Sequence, residues 1–477
     1  MAVSAIPGFD LQPSAQRVPV STNYITNFDF LNQYLPDTYE KEFERYGNRT
    51  IASFLRMVGA EMPSNSDLIK WAEQGRLHTK YTNVSTPAAA AANVATFTVA
   101  DVLNPAFVNA ATGSIAIRVG QTVFISDNAG AGSGKAIVTA VDYAARTFDV
   151  AFYAAGGLFV AGAAKVFSVF IYGSEFRKGT EGMAGSLEAD DFIFDNSPII
   201  IKDKYAVSGS DMAQIGWVEV TTENGASGYL WYLKSEHETR LRFDDYLETA
   251  MIEAVPAEAA SGAIATTGDV GNKGSDGIFY VVENRGNIWG AGNPTTLSEW
   301  DSLISRLDKQ GAIEENVVFV DRDFSFDIDD MLAAQNSYGA GGSSYGLFDN
   351  DKDMALNLGF TGFRRGYDFY KSDWKYLNDP TMRGGLPTTA GSGRVNGLLV
   401  PAGSTSVYDQ ILGQNAKRPF LHVRYRASET EDRRYKTWIT GSAGGAETSS
   451  LDAMEVHFLS ERAVCTLGAN NFFLFNQ

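Results

Sequence analysis

The sequence predicts an α+β fold into which a small β-rich domain is inserted, and three observations support this. A long amphipathic helix is predicted from Gly228 to Val255. Helices and strands alternate after it, and the segment 416–477 contains only predicted strands. The segment 81–164 contains seven charged residues among 84, whereas 20% of the whole chain is charged. A composition that changes on both sides of a segment indicates a separately folding insertion.

Length, charge and cysteine content exclude several classes of protein. The chain has 477 residues, enough for two to four domains with well-buried cores. Its net charge of −18 repels polyanions and argues against a general nucleic-acid-binding surface. The single cysteine, Cys465, excludes an internal disulfide framework and any multi-cysteine metal site, and it fits a reducing compartment. No signal peptide or membrane-spanning segment is predicted.

The first 80 residues are predicted to contain an arm and two short helices. Residues 1–35 lack sustained periodicity and are expected to form an extended arm. A first helix is predicted at Asp37–Tyr46 behind a capping Asp, and a second at Ser66–Gly75, where Gly75 would end it. The segment 36–80 would therefore lead from the arm into the body of the protein.

The alanine-rich segment 81–164 is predicted to be a small antiparallel barrel or sandwich. Its short β-branched or aromatic runs are separated by Gly, Asp and Asn. The predicted strands are Ile115–Val119, Thr122–Ser126, Ala136–Val141 and Thr147–Phe152.

A two-stranded excursion and a long helix follow this segment. The part 165–224 contains predicted strands at Ser197–Lys202 and Gln214–Thr221. The segment 225–275 is dominated by the helix Gly228–Val255, which Pro256 stops and which would be about 40 Å long. Its apolar stripe consists of Leu230, Leu233, His237, Leu241, Phe243, Leu247 and Met251.

The segment 276–415 is predicted to be a mixed α/β layer. Thr296 and Glu299 form a capping box that begins a helix, and Gly311 ends it. A strand at Asn316–Asp321 and a helix at Ile328–Gln335 follow, and then strands near Ala355–Phe360 and Arg394–Val400. The strands predicted in 416–477 are Phe420–Arg426, Tyr435–Ile439, Met454–Leu459 and Asn471–Phe475.

Two motifs match catalytic patterns in letters but not in context. Gly130–Lys135 resembles a phosphate-binding loop, but the spacing is wrong, Ala136 follows the lysine, and the loop joins two strands. Gly342–Gly346 matches the nucleophile pattern G-x-S-x-G but lies inside a glycine cluster. Only His422 and His457 follow it as potential bases. We interpret both motifs as loops, and no catalytic or cofactor-binding residue is predicted.

Acidic residues form two groups that would suit a cation or glycoside hydrolysis. Asp321, Asp323, Asp327, Asp329 and Asp330 cluster near a predicted strand end, and Asp349, Asp351 and Asp353 alternate across a turn. Neither group has the twelve-residue calcium-loop pattern. We therefore predict no metal site and interpret the groups as acidic turns. The paired arginines Arg364–Arg365 and Arg433–Arg434 lie beside aromatic and acidic residues, and an intersubunit or intramolecular ion pair is expected for each.

The order of segments, together with several runs of residues, resembles a known family. The order is a flexible arm, a long two-stranded excursion, a long helix, a mixed α/β part and a β-rich tail. The run Phe363–Pro380 with Arg383–Gly385, the run Val395–Gly403 and the ending Gly468–Phe473 look similar to crAss-like phage capsid proteins. The sequence thus resembles tailed-phage major capsid proteins with the Hong Kong ninety-seven fold. The segment order covers nearly the whole chain, and the specific matches lie after about residue 360.

The resemblance implies a structural protein without enzymatic activity or cofactor. It implies an N-terminal arm (1–35), the start of a peripheral domain (36–80), an inserted domain (81–164), the return of an extended loop (165–224), a spine helix (225–275), an axial domain (276–415) and a shared C-terminal part (416–477). Hexamers and pentamers of this chain would form an icosahedral head around double-stranded DNA. Portal, scaffold and decoration proteins would be partners, no membrane would be involved, and assembly would occur in the bacterial cytoplasm.

Two other hypotheses stay open at the level of sequence. The first is that the chain is a non-enzymatic β-rich virion protein, such as a decoration or fibre subunit. A weaker hypothesis is a carbohydrate-active enzyme that uses Asp321 and Asp323 or their neighbours. The region 225–440 distinguishes the first from a capsid subunit, because a fibre is expected to show strand repeats there and this chain has capped helices.

Overall fold

The fold combines many strands with a few helices, as the α+β prediction expects. The computed structural model describes residues 60–76, 78–86, 94–100, 115–129, 132–155, 166–185, 191–213, 220–221, 227–228, 231–258, 261–265, 272–311, 313–336, 361–389, 391–409, 414–445 and 447–476. The predicted arm 1–35, the helix Asp37–Tyr46, the strand Ala355–Phe360, the loop Gly342–Gly346 and the acidic group 349–353 lie outside the described residues.

The elements of the first half of the chain are mostly strands. They are β1 (Ala60–Ser64), β2 (Ile69–Gln74), β3 (Lys80–Ser85), β4 (Val94–Val99), β5 (Gln121–Asp127), β6 (Ser133–Asp142), β7 (Thr147–Phe152), β8 (Val166–Ser174), β9 (Asp191–Asn196), β10 (Ile199–Ser208), α1 (Gly209–Met212), β11 (Val220–Thr221) and β12 (Ser227–Gly228).

The second half contains the longer helices. Its elements are α2 (Trp231–Glu253), α3 (Gly262–Ala265), α4 (Ile278–Arg285), β13 (Asn287–Trp289), α5 (Leu297–Gln310), β14 (Glu315–Val320), α6 (Arg322–Asn336), β15 (Gly362–Arg365), β16 (Tyr367–Asp373), α7 (Lys375–Asn378), β17 (Val395–Pro401), β18 (Ser404–Asp409), β19 (Gln414–Pro419), β20 (Leu421–Arg426), β21 (Lys436–Gly441), β22 (Ala453–Thr466) and β23 (Phe473–Asn476).

The described residues belong to two compact units. One contains those within Ile201–Leu247 and Tyr435–Ser460, and we call it the helix unit. The other, the sheet unit, contains those within Ser53–Ile200, Glu248–Arg434 and Glu461–Gln477. The division falls inside β10, α2 and β22.

In the helix unit, α2 supplies part of the core. Phe243 and Leu247 are buried and pack with Met454, Val456 and Phe458 of β22. The side chains of β22 alternate here, and β21 pairs antiparallel with the same stretch, from Lys436 opposite Leu459 to Gly441 opposite Met454. The predicted helix Gly228–Val255 is therefore confirmed with shorter bounds. Its predicted stripe is only partly buried, because Leu233 is 46% exposed.

The sheet unit contains a 6-stranded mixed sheet in the order β13-β23-β17-β14-β16-β15. Its core includes Trp300 and Leu303 of α5, Phe324 of α6 and Phe369 of β16, so both helices pack on the sheet. The capping box of α5 is confirmed: Thr296 Oγ1 accepts from the Glu299 amide at 3.3 Å, and Glu299 Oε2 accepts from the Thr296 amide at 3.0 Å. All seven residues of β17 are buried, which fits a central strand covered on both faces.

The helix predicted at Ile328–Gln335 begins six residues earlier, at Arg322, because Asp321 caps it. The Phe324 amide donates to Asp321 Oδ1 at 2.8 Å. A carboxylate before the first turn satisfies an amide that has no partner inside the helix. Asp321 is thus a cap at the end of β14 rather than the last residue of that strand.

The alanine-rich region forms a closed antiparallel barrel in the order β3-β4-β7-β6-β5-β8. Its core contains Tyr81, Phe97, Phe148 and Phe167, and Phe97 and Phe148 stack with ring centroids 5.6 Å apart. Three of the predicted strands correspond to β5, β6 and β7. The fourth prediction, Ile115–Val119, is wrong: the chain there makes one isolated bridge and then turns into β5 through Gly120, whose φ is +85°. The last strand, β8, lies beyond the predicted boundary at residue 164.

The helix predicted at Ser66–Gly75 is also wrong, because residues 69–74 form strand β2. This strand pairs antiparallel with β9, from Ile69 opposite Asn196 to Gln74 opposite Asp191. We call the pair the β ribbon. Ile69 and Trp71 are two positions apart and pack together with Ala463 and Cys465. A spacing of two is the period of a strand, and the partner strand lies more than a hundred positions further along the chain.

Candidate assembly surfaces

The β ribbon presents apolar side chains to solvent. Ile193 is 69% exposed and its neighbour Phe192 is 39% exposed, whereas Trp71 on the other strand is half-buried. Ile200, at the start of β10, is 53% exposed. Neighbouring exposed apolar residues on one element are a common mark of an interaction surface. The ribbon is therefore the first candidate assembly surface.

Asn196 anchors the end of the ribbon to the sheet unit. It is only 5% exposed, and both ends of its amide are used. Its Nδ2 donates to the carbonyls of Asp276 at 3.0 Å and Val464 at 2.7 Å. Its Oδ1 accepts from the Ser275 hydroxyl and the Asp276 amide, both at 2.9 Å. One side chain thus joins three stretches of chain that are far apart in sequence.

Arg285 holds the aromatic side chains of the ribbon. Its guanidinium carbon lies 4.0 Å from the ring centroid of Phe194 and 5.7 Å from that of Trp71. Burial lowers the pKa of Arg285, and nearby Glu73 and Asp276 oppose this effect. A cation held over aromatic faces and away from water contributes about 2 kcal/mol. The orientation of the ribbon at its base is therefore fixed by directional contacts.

The helix unit offers a second apolar surface on β21. Trp438 and Ile439 are 37% and 42% exposed, and Leu451 beyond the strand is 53% exposed. Trp438 stacks on His457 with ring centroids 5.1 Å apart. His457 also shares a 2.7 Å hydrogen bond with the Thr440 hydroxyl. These contacts give His457 a local structural role beside the tryptophan.

The acidic residues near the end of β14 make structural contacts. Asp321 also accepts from Arg394 Nη2 at 3.0 Å, and burial raises the pKa of its carboxyl, although the Phe324 and Arg394 hydrogen bonds oppose the shift. Asp329 pairs with Lys371 at 2.5 Å, and Asp327 accepts from Asn293 at 2.7 Å. These partners explain the cluster as part of the fold of α6.

The remaining candidate residues are placed as follows. His422 is buried in β20, and its Nδ1 donates to the Pro419 carbonyl at 3.2 Å. Lys135, the lysine of the loop-like motif, lies within β6. Of the five aspartates near β14, Asp323 lies 3.6 Å from Arg394 and is largely exposed. In the parts of the chain that the structure describes, no group of three or more His, Cys, Asp or Glu residues is arranged to hold a metal ion.

The paired arginines form ion pairs within the chain, one of the two roles expected. Arg364 pairs with Asp368 at 3.2 Å, and Arg365 binds both carboxylate oxygens of Asp301. The second pair contacts Glu461 and Glu61: the distance from Arg433 Nε to Glu461 Oε2 is 2.6 Å, and Arg434 contacts Glu61. These contacts tie β15 to α5 and β1 to the chain after β20.

Sequence reasoning did not single out Ile193, Asn196 or Arg285. A signal exists for the first two, because Phe192, Ile193 and Phe194 form an apolar run that ends in Asp195–Asn196. Such a run predicts a strand with apolar residues on both faces. Arg285 carries no local signal, because its aromatic partners are distant in sequence.

Comparison with known proteins finds similarity only at the level of structure. A structure from Microbacterium phage Oxtober96 matches over 95% of this chain and 99% of that chain, with 9% identity and a TM-score of 0.39. The mature capsid of bacteriophage PhiM1 matches over 64% of this chain and 78% of that chain, with 9% identity and a TM-score of 0.31. The holo-SrpI encapsulin complex of Synechococcus elongatus PCC 7942 matches over 60% and 77%, with 11% identity and a TM-score of 0.32. The structures similar to this chain thus include phage capsid proteins and an encapsulin.

No protein-family model matches the sequence, and no curated protein is similar to it in sequence. Among the helices that the structure describes, none is both long enough and apolar enough to cross a bilayer.

Proposed function

We propose that this chain is a major capsid protein that associates with itself into an icosahedral head around double-stranded phage DNA. In this proposal it has the Hong Kong ninety-seven fold, with affinities to the crAss-like group, and its function lies in surfaces rather than in a catalytic site. Hexamers and pentamers are the assembly units. Portal, scaffold and decoration proteins are the expected partners, and the virion is the expected location.

The observation that carries the proposal is the chain order of the described elements. Strand β2 leads outward, β9 returns beside it, and β10 leads on to the 23-residue helix α2. The mixed sheet with α5 and α6 follows, and the last strand, β23, returns to that sheet next to β13. An extended loop, a spine helix and an axial domain occur in this order in the capsid family that the sequence resembles.

The barrel fits the proposal as a domain inserted into the extended loop. All its strands lie in the chain between β2, which ends at Gln74, and β9, which begins at Asp191. An insertion at the far end of a two-stranded ribbon leaves the base of the ribbon unchanged. The contacts of Asn196 and Arg285 at that base are then independent of the inserted barrel.

The exposed apolar residues of the ribbon and of the start of β10 supply the driving force for association. Ile193 and Ile200 gain little in the isolated chain, because more than half of each is exposed. Burial against a second copy stabilises the contact by about 25 cal/mol for each Å² of apolar surface. The net charge of −18 favours a subunit that encloses DNA without gripping it.

A non-enzymatic decoration or fibre subunit is the second candidate, and the closed barrel is the observation that favours it. The described part of 225–440 argues for a capsid subunit instead. It contains α2, α5 and α6 and a mixed sheet rather than a series of strand repeats.

Sedimentation velocity of the purified full-length chain tests the proposal. The wild-type protein is expected to sediment as rings or shells, and Ile193→Asp is expected to shift it to unassembled subunits, because a charge at the contact must be desolvated. The matched control Ile193→Val keeps an apolar side chain and is expected to sediment as the wild type. A wild-type chain that stays monomeric at every concentration contradicts the proposal.

A further inference from the structure

The barrel carries an open cleft with aromatic, polar and charged side chains in its lining. The cleft has a volume of about 600 Å³ and is lined by Thr122, Lys135, Tyr153, Tyr172, Gly173, Ser174 and Glu175. These residues come from β5, β6 and β8 and from the positions directly after β7 and β8. The volume is in the range of cavities that bind small ligands, about 300–1,000 Å³.

Two tyrosines lie at the cleft with much of their surface free. Tyr153 is 52% exposed and Tyr172 is 47% exposed. Tyr172 is the extra residue of a β-bulge, because Thr122 pairs with Gly173 while the next residue, Val123, pairs with Ile171. Bulges commonly re-aim a side chain at the rim of a barrel or beside a functional site. The bulge therefore indicates that Tyr172 is oriented for a role other than packing.

Polar groups surround the two rings. The Tyr153 hydroxyl donates to Glu175 Oε2 at 2.5 Å, and burial together with this hydrogen bond raises the pKa of Tyr153 to about 12. This hydrogen bond holds the Glu175 carboxylate beside the Tyr153 ring. Lys135 Nζ lies 5.7 Å from the ring centroid of Tyr172. The cleft thus contains one carboxylate and one ammonium group beside two aromatic faces.

A buried hydroxyl at the cleft has no hydrogen-bond partner among the described residues. Thr122 is 5% exposed, and its Oγ1 is buried and unsatisfied there. Leaving a buried polar group unpaired costs about 1–3 kcal/mol. Gly173 lies next to this oxygen, and a Cβ added to Gly173 would come within 3.2 Å of Thr122 Oγ1. A side chain at position 173 would therefore crowd this hydroxyl.

We propose that this cleft binds a neutral oligosaccharide. A sugar ring has an apolar C–H face that packs on an aromatic ring, and hydroxyl groups at its edge that both donate and accept hydrogen bonds. Tyr153 and Tyr172 offer the faces, Glu175 accepts, Lys135 donates, and Thr122 finds a partner. Some small barrels, such as the five-stranded OB-fold, bind oligosaccharides on their strands and loops. The activity is separate from shell formation, since the whole cleft lies within one barrel.

Two other ligand classes fit less well. A nucleic acid would bring phosphate charges close to Glu175, in a chain whose net charge is −18. A proline-rich peptide would pack on the aromatic rings of the cleft. It has few hydroxyl groups, however, that could form hydrogen bonds with Glu175, Lys135 and Thr122. Binding of a nucleic acid or of a proline-rich peptide is therefore measured in the same experiment as an alternative outcome.

Isothermal titration of the purified full-length chain with maltohexaose, cellohexaose and mannohexaose tests the proposal. At least one of these sugars is expected to bind. Tyr153→Ala and Tyr172→Ala are each expected to weaken that binding by about tenfold or more, equivalent to the loss of about 1.4 kcal/mol. Gly173→Ala is expected to weaken it as well, without removing an aromatic ring. Tyr143→Ala is the matched control, because Tyr143 is 44% exposed on the same barrel but does not line the cleft.

Circular dichroism melting of every variant separates a lost ligand contact from a lost fold. The proposal is overturned if the folded wild type binds none of the three sugars, or if the folded Tyr153 and Tyr172 variants bind as tightly as the wild type. Binding of decaproline or of an eight-residue thymidine oligonucleotide in place of the sugars also overturns it. Because the cleft needs no second subunit, these outcomes do not depend on whether the chain forms shells.

Discussion

His422 is a buried histidine that the fold keeps neutral. Burial and, to a smaller extent, Arg424 lower its pKa from 6.5 to about 4, although the Pro419 carbonyl opposes this. On the neighbouring strand β22 its partner is Cys465, and burial raises the pKa of that thiol to about 12. At neutral pH the imidazole is therefore a weaker base than free histidine, and the thiol is protonated. Both are part of the core between β20 and β22.

The pKa of His422 predicts a loss of stability in mild acid. Because the folded-state pKa is below the ordinary value, the unfolded chain takes up the proton first as the pH falls. The stabilisation is complete above pH 6.5 and is lost as the pH falls toward 4. The maximum loss is about 3 kcal/mol. Hydrogen exchange of β20 and β22 at pH 7 and pH 4.5 measures it.

His422→Asn is the matched variant for this experiment, because its amide can still donate to the Pro419 carbonyl. The free energy of opening should depend less on pH in the variant than in the wild type. An identical pH dependence in the two proteins would show that His422 does not titrate in this range.

Asn196 is predicted to control the order of the β ribbon. Asn196→Asp keeps the accepting oxygen but places a second oxygen against the carbonyls of Asp276 and Val464, in a site that is 5% exposed. We expect a loss of about 2–4 kcal/mol in the free energy of opening of β2 and β9. Hydrogen exchange of these two strands measures this loss.

Asn128→Asp is the control for the ribbon experiment. Asn128 is exposed, donates to the Thr82 carbonyl at 3.0 Å and accepts from the Ser168 hydroxyl at 2.7 Å. Water can replace these contacts, so the change should be about 0.5 kcal/mol or less. If Asn196→Asp exchanges no faster than Asn128→Asp, Asn196 does not anchor the ribbon.

At the scale of elements, the first turn of α5 depends on its capping box. Thr296→Ala removes the acceptor of the Glu299 amide and is expected to cost about 1 kcal/mol. Hydrogen exchange of the first-turn amides of α5 measures the effect. Ser302→Ala, on the same helix, removes only a 3.1 Å bond to the Ser298 carbonyl and serves as control. Equal protection in the two variants would contradict a role for the cap.

Elements whose signals are local were predictable from the sequence. The helix α5 has a capping box and a terminal Gly311, and α2 has helical periodicity and a following proline, so both were predicted close to their observed bounds. The strands β5 to β7 have alternating patterns bounded by turns. In each case the residues that determine the structure lie within the element or next to it.

Elements that depend on distant partners were not predictable. Ser66–Gly75 contains Leu68, Ile69 and Trp71, a spacing that suits a helix in isolation, yet the pairing with β9 makes residues 69–74 a strand. The start of α6 was missed because Asp321, a buried carboxylate with an arginine partner, was interpreted as part of a strand. The contacts of Arg285 with Phe194 and the bulge at Tyr172 likewise depend on residues far away in sequence.

At the scale of the whole molecule, the proposed function depends on exposed surfaces that can associate with a second copy of the chain. The candidate catalytic residues near β14 are engaged in caps and ion pairs, as Asp321 and Asp329 show. Exposed apolar residues on the described surface include Ile193 on the ribbon, Trp438 and Ile439 on β21, and Tyr153 and Tyr172 on the barrel. Segments that become ordered only when they bind a neighbouring subunit can adapt to different surroundings. They therefore suit a subunit that must occupy several non-identical positions in a shell.

Cryo-electron microscopy of the purified full-length chain tests the proposed shell most directly. We predict closed particles built from rings of six and five subunits, with the β ribbon of one subunit covered by a neighbour. Isolated monomers at every concentration, or particles in which Ile193 and the rest of the ribbon stay exposed to solvent, would contradict it.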